Sequence, residues 1–184
     1  SVIIAWLTFG VSALLLQEVT SVGVISYKLG GWEPPWGIEY RIDAVNAYVL
    51  LIVSAIGALT VSYAKPSVEK EINEERGYLF YTAFLLCLAG LLGVTITGDA
   101  FNIFVFLEIS SLSSYALISM GRDRRALTAA FRYLVFGTIG ATFFLIGVGL
   151  LYQMTGTLNI ADLGERVANV GANRTITVAF GFMA

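Results

Sequence analysis

Long apolar runs joined by short polar stretches set the pattern of this chain. Runs of roughly 20 mostly apolar residues can cross a bilayer as helices. Such runs predict spans over about 1–17, 44–64, 77–97, 100–120 and 126–153, with a sixth beginning near Ile176 and continuing to Ala184. Between the first two, "SVGVISYKLGGWEPPWGIEYRID" contains two β-prone runs, 22–28 and 38–42, separated by Gly30, Gly31, Pro34, Pro35 and Gly37. Short β runs punctuated in this way predict a hairpin, and Trp32, Trp36 and Tyr40 supply the amphipathic aromatics that collect at headgroup level. "PSVEKEINEERGY", residues 66–78, reads as a charged connector. "LNIADLGERVANVG", residues 158–171, spaces Leu158, Ala161, Val167 and Val170 as a helix lying along the outer interface. The expected fold class is all-α integral membrane: about five complete transmembrane helices plus the start of a sixth, with an extramembrane β-hairpin between the first two. Residues 1–184 form a single transmembrane domain, with no low-complexity tract or internal repeat.

Composition agrees with the pattern. The 184 residues are 57% hydrophobic and 13% charged, with a mean hydropathy of +0.79, which a domain with a water-facing surface does not sustain. A net charge of -2 without a basic patch excludes the electrostatic footprint of a nucleic-acid binder. The single Cys87 rules out a disulfide framework, and the absence of histidine removes the usual metal ligand and the usual proton carrier near neutral pH. Proton chemistry is left to carboxylates, lysines or water. The opening "SVIIAWLTFGVSALLL" lacks an initiator Met and the positive flank of a signal peptide, so it reads as a spanning helix met at its start, and the chain as the N-terminal part of something longer. Lys65, Lys70, Arg76, Arg122, Arg124 and Arg125 lie on one face, against Lys28, Arg41, Arg166 and Arg174 on the other. This bias places the "RDRR" loop in the cytoplasm of a prokaryotic cell and the hairpin outside.

Of the 13 acidic residues, all but Glu108 fall in predicted loops or near helix ends. Glu108 stands about nine residues into its span, roughly 13 Å from the end at 1.5 Å per residue. A carboxylate there costs on the order of 2.5 to 3.5 kcal/mol on insertion scales, and such groups face a bundle interior and mark ion pathways. The competing reading is a structural carboxyl bonded to a neighbouring helix. Ser111 and Tyr115 follow at i+3 and i+7 on the same helical face and form a candidate polar lining, with Phe104 and Phe101 one and two turns before. Ser110, Ser113 and Ser114 read as small residues that allow close packing. Arg132 is the one cation well inside a predicted span. It either snorkels to the headgroups or acts as a fixed charge partner of Glu108. Gly137, Gly140, Gly147 and Gly149 permit close packing or local flexing, Thr95 and Thr97 near a helix end read as caps ahead of a water-path lining, and Asp43 and Asp99 precede apolar runs as N-caps. With no Walker, Rossmann, haem-attachment or iron-sulfur motif, the expected cofactor and metal complement is none.

"GDAFNIFVFLEISSLSSYALIS", with "GGWEPPWGIEYRIDAVNAY" upstream and "LLYQMTGTLNIADL" downstream, resembles the proton-conducting antiporter-like membrane subunits. These are the D-type subunits of the multisubunit Mrp sodium/proton antiporters and the related subunits of respiratory complex I and membrane-bound hydrogenases. The resemblance implies inverted five-helix repeats with broken helices, a key ionisable role for Glu108 on the family's fifth helix, and a lysine partner on the seventh. It also implies that this chain supplies the second to sixth helices and the start of the seventh. Arg132 stands where relatives commonly carry lysine, and an arginine stays protonated where a lysine can release a proton. The function expected is proton translocation, with sodium exchange as a candidate coupling, within a multisubunit membrane complex of antiporter or oxidoreductase type. A membrane scaffold subunit without translocation is the alternative, and a small-molecule carrier is disfavoured by the single midplane charge.

Overall fold

In the computed structural model, residues 1–72, 76–171 and 173–184 are described. Among them, five helices are long and apolar enough to cross a membrane: α1 (Val2–Val22), α2 (Ala44–Glu71), α3 (Gly77–Ile96), α4 (Ala100–Ser119) and α5 (Arg124–Thr155). Two shorter helices follow, α6 (Ile160–Val170) and α7 (Arg174–Met183). Strands β1 (Ile25–Lys28) and β2 (Glu39–Ile42) pair antiparallel between α1 and α2, with Ile25 opposite Ile42 and Lys28 opposite Glu39. The all-α membrane architecture and the hairpin are as the sequence predicts.

Helix starts are set by side chains. The carboxylates of Asp43, Asp99 and Asp123 accept from backbone amides in the first turns of α2, α4 and α5, and Asn159 and Asn173 do the same for α6 and α7. Each cap satisfies one or two of the amides that a helix start leaves unpaired. The expected caps at Asp43 and Asp99 are thus present.

Helix ends depart from expectation. α1 runs on to Val22, because Thr20 and Ser21 turn their hydroxyls onto the helix's own carbonyls and so carry the polar end out of the apolar layer. α2 continues through Pro66 to Glu71, so residues 66–71 of the expected connector are helical, while residues 73–75 lie outside the described residues. The proline deprives one carbonyl of its amide. The final turn is nevertheless tied down, since the Arg122 amide donates to the Glu71 carbonyl at 3.1 Å and its guanidinium to the Ile72 carbonyl at 2.8 Å. A cation at a helix C-terminus also opposes the dipole favourably. α6 forms where expected, but Leu163 and Val167 pack onto the Leu151, Ile176 and Ala179 cluster, whereas Ala161 and Val170 are exposed.

Neighbouring spans approach through small residues, as helix association in a lipid solvent requires. Ala5, Ala58, Val61 and Leu88 join α1, α2 and α3, with Ser12 and Ser54 also buried. On α3, a methyl added at Gly90 would stand 2.7 Å from the Ser110 amide nitrogen and 2.9 Å from the Phe106 carbonyl oxygen of α4. Backbone cannot retreat as a side chain can. Gly90→Ala is therefore expected to cost about 1–3 kcal/mol by overpacking. Gly149→Ala, where nothing lies within 4 Å, should be neutral or stabilising. Thermal unfolding of the two variants in detergent checks the contrast.

Candidate functional site

Glu108 is the ninth residue of α4, about 12 Å along the helix from its first residue at 1.5 Å per residue. It is half-buried and opens into a cleft of about 650 Å³ between α4, α5 and α7. Leu107, Glu108 and Ser111 form the α4 wall, Gly137, Gly140, Ala141, Phe143 and Phe144 the α5 wall, and residues 181–184 the α7 wall. Glycines on α5 leave the space that side chains would fill. Among the described residues the Glu108 carboxylate takes part in no ion pair and accepts no hydrogen bond.

The serines of α4 divide by what they bond. Ser110, Ser113 and Ser114 donate to carbonyls of their own helix, Ser114 also lies 3.4 Å from the Cys87 sulfur on α3, and Ser110 and Ser113 are buried. These are the packing serines that the sequence suggested. Ser111, one turn past Glu108, lines the cleft. Tyr115 does not: it is buried, and its hydroxyl lies so close to Gly137 that a methyl there would overlap it. Its ring meets Tyr133 edge-on, centroids 5.2 Å apart. Tyr115 therefore supports the cleft's α5 wall from behind. Arg132 is exposed on α5, outside the cleft lining and, among the described residues, without an ion pair to Glu108.

A second cleft, of about 530 Å³, opens at the hairpin end and was not anticipated from sequence. Its lining includes Glu39 and Arg41 of β2, Asp43 and Asn46 at the start of α2, Thr95 and Thr97 at the end of α3, and Ile103 of α4. Glu39 is only 7% exposed. Its carboxylate accepts from the Ser26 hydroxyl at 2.8 Å and the Asn159 side-chain amide at 3.0 Å, while its backbone carbonyl accepts from the Gly98 amide at 2.9 Å. Periodicity gave no signal for this group, because Asn159 stands 120 residues away in sequence. Behind the cleft, Asp99 is 8% exposed. Burial raises the pKa of its carboxyl above the usual carboxylate value, against the lowering effect of hydrogen bonds from the Asn102 and Phe101 amides. On α6 the Arg166 guanidinium, donating to Asp162 at 2.9 Å, with help from Thr157, holds the Asp162 carboxyl below its usual range.

Residues 97–184 match the family described as NADH:quinone oxidoreductase/Mrp antiporter, TM. The N-type subunit of NADH-quinone oxidoreductase from Desulforudis audaxviator (strain MP104C) is 52% identical over 157 residues, covering 85% of this chain and 31% of that protein. The D-type subunit of the Na(+)/H(+) antiporter from Bacillus subtilis (strain 168) is 38% identical over 168 residues, covering 91% of this chain and 34% of its own. In three dimensions the chain superposes on part of the membrane-bound sulfane sulfur reductase, an archaeal respiratory membrane complex, with a TM-score of 0.89 and 34% identity over 99% of this chain and 37% of that one. The chain thus spans about a third of the length of the relatives it matches.

The Asp99 environment has a testable consequence. Because its folded-state pKa is raised, the contribution of this carboxyl is full below the unfolded value of 3.8 and is lost as pH rises through the folded value. Asp99→Asn keeps an N-cap and removes the buried charge, so its stability should equal or exceed wild type near neutrality and vary less between about pH 4 and 7. Asp99→Ala, without the cap, should lie about 1 kcal/mol below Asp99→Asn at all these values. Thermal unfolding across this range measures both.

Proposed function

The chain belongs to the antiporter-like membrane subunit family shared by NADH:quinone oxidoreductases and Mrp antiporters, and on that premise we propose that it translocates protons across the membrane as part of a larger complex, with Glu108 as the carrier. The observation that carries this reading is a half-buried carboxylate at mid-span, unpaired among the described residues and facing a cleft of about 650 Å³. Water occupies roughly 30 Å³ per molecule, so a chain of hydrogen-bonded waters fits beside the carboxylate. An ionised carboxylate accepts only, and once protonated it donates one O–H. Glu108 therefore takes a proton from water on one side and returns it to water or a partner group on the other.

Ser111 both donates and accepts through a hydroxyl that rotates, and it orients the water between one turn of α4 and the next. Tyr115 and Gly137 hold α4 and α5 at the separation that keeps the cleft open. Arg132 contributes a fixed positive charge on α5 and relays no proton, since a guanidinium stays protonated. The free energy that drives the cycle comes from partner subunits, through redox chemistry in an oxidoreductase or an opposing ion gradient in an antiporter. The Bacillus relative is a sodium/proton antiporter subunit by name, which favours sodium as the exchanged ion. The basic loop between α4 and α5 faces the cytoplasm and the hairpin the outside of a bacterial or archaeal cell membrane.

In the intact complex reconstituted into vesicles, Glu108→Gln is expected to lower proton flux by at least about tenfold with assembly unchanged. Wild-type flux in an assembled Glu108→Gln complex would reduce the subunit to a membrane scaffold. Proton flux that is insensitive to replacing sodium with potassium would remove the sodium exchange and leave the proton carrier.

A further inference from the structure

The hairpin-end cleft has a lining whose chemistry is set by one unusual helix end. α3 stops at Ile96, and the amides that would have continued its hydrogen-bond ladder are used elsewhere. The Gly98 amide, four residues beyond Val94, donates to the Glu39 carbonyl at 2.9 Å, and the Asp99 amide, four beyond Thr95, points to the Thr97 hydroxyl at 3.4 Å. The Val94 and Thr95 carbonyls are left without helical partners among the described residues, and both residues line the cleft. Backbone carbonyls at a helix C-terminus carry negative partial charge and require a donor, a water or a cation.

Glu39, more than nine-tenths buried, lines the same cleft. Each of its carboxylate oxygens accepts one bond, from neutral donors, while a carboxylate offers about four acceptor positions. No cation pairs with it among the described residues. A buried carboxylate without a counter-charge is costly. The three charged residues of the lining, Glu39, Arg41 and Asp43, sum to one negative charge. All the available ligand atoms are hard oxygens, and broken helix ends in membrane transporters offer carbonyls to alkali cations in this way.

We propose that this cleft binds one sodium-sized monovalent cation, held by the Glu39 carboxylate and the Val94 and Thr95 carbonyls, with water on its open side. Gly98 positions the carboxylate, since a methyl there would meet the Glu39 Cγ at 3.0 Å and Oε1 at 3.4 Å. Among the described residues no group of three or more His, Cys, Asp or Glu side chains comes together, which favours a monovalent over a divalent ion. The site deepens the translocation reading by giving the exchanged ion a place at the hairpin face, yet it exists as a binding site whether or not Glu108 carries protons.

The test places a cysteine at Asn46 on the cleft wall and follows its modification by a cationic thiosulfonate reagent in the intact complex, read by mass spectrometry on the peptide that contains it. Sodium is expected to slow modification, and choline at equal ionic strength is not. Glu39→Gln should raise the half-protecting sodium concentration by at least about tenfold, as loss of a charged ligand does. If Glu39→Gln fails to assemble, Gly98→Ala, which displaces the carboxylate and leaves its charge, gives the same direction of change. Protection that is absent, is equal with choline, or is unaltered in these variants overturns the site, and equal protection by potassium overturns the sodium assignment. Glu108→Gln should leave sodium protection unchanged while proton flux falls, so loss of one reading is seen separately from loss of the other.

Discussion

A buried polar knot at the hairpin end holds the elements in register. Glu39 bonds the α3–α4 turn through its main chain and the α5–α6 turn through its side chain, by way of the Gly98 amide and the Asn159 carboxamide. The two turns also bond each other directly, with Ala100 donating to the Leu158 carbonyl at 2.8 Å and Ile160 to the Gly98 carbonyl at 2.9 Å. Three segments far apart in sequence thereby meet where the backbone leaves helical geometry and its amides need partners. Non-helical backbone near a membrane is tolerated where the protein itself supplies those partners. Because the knot fixes the first residue of α4, it also fixes the depth of Glu108 eight residues later.

Within the spans the opposite economy holds. Hydroxyls on Thr8, Ser12, Ser54, Thr82, Ser110, Ser113, Thr138 and Thr142 all bond carbonyls of their own helices. Such residues cost little and let helices approach. Glu108 has no such local solution, because a glutamate carboxylate cannot donate to a carbonyl while ionised. The glycines of α5 give it a cleft instead. A carboxylate carrying an insertion cost of a few kcal/mol is thus kept at mid-span with its chemistry available and not consumed by a structural bond.

Hydropathy made the spans legible because each had to present an apolar surface all round for roughly 20 residues. Their ends were less legible. Pro66 signals a stop by local rules, and the helix passes it because Arg122, some fifty residues on, secures the last turn. Charge counting found Glu108, since a lone carboxylate in an apolar run stands out in one dimension. Helical spacing put Tyr115 on the same side as Glu108 but could not show that its ring would turn into the α5 interface against Gly137. Glu39 was hidden for the reverse reason: an acidic residue in a loop-flanked strand looks solvated until the fold brings Gly98 and Asn159 against it.

The two clefts share α4 and open on different neighbours. Ile103 lines the hairpin cleft and Leu107 the midplane cleft, about 6 Å apart by helix rise. Between them Phe106 fills the interface with α3, where a methyl at Gly93 would collide with its ring, and it packs 6.4 Å from the Tyr40 ring of the hairpin. The Phe106 ring thus packs α4 against α3 and the hairpin and contributes to neither lining. The two linings are therefore chemically separate: backbone carbonyls and a hydrogen-bonded carboxylate at the hairpin end, and at mid-span, among glycines, a carboxylate unbonded among the described residues.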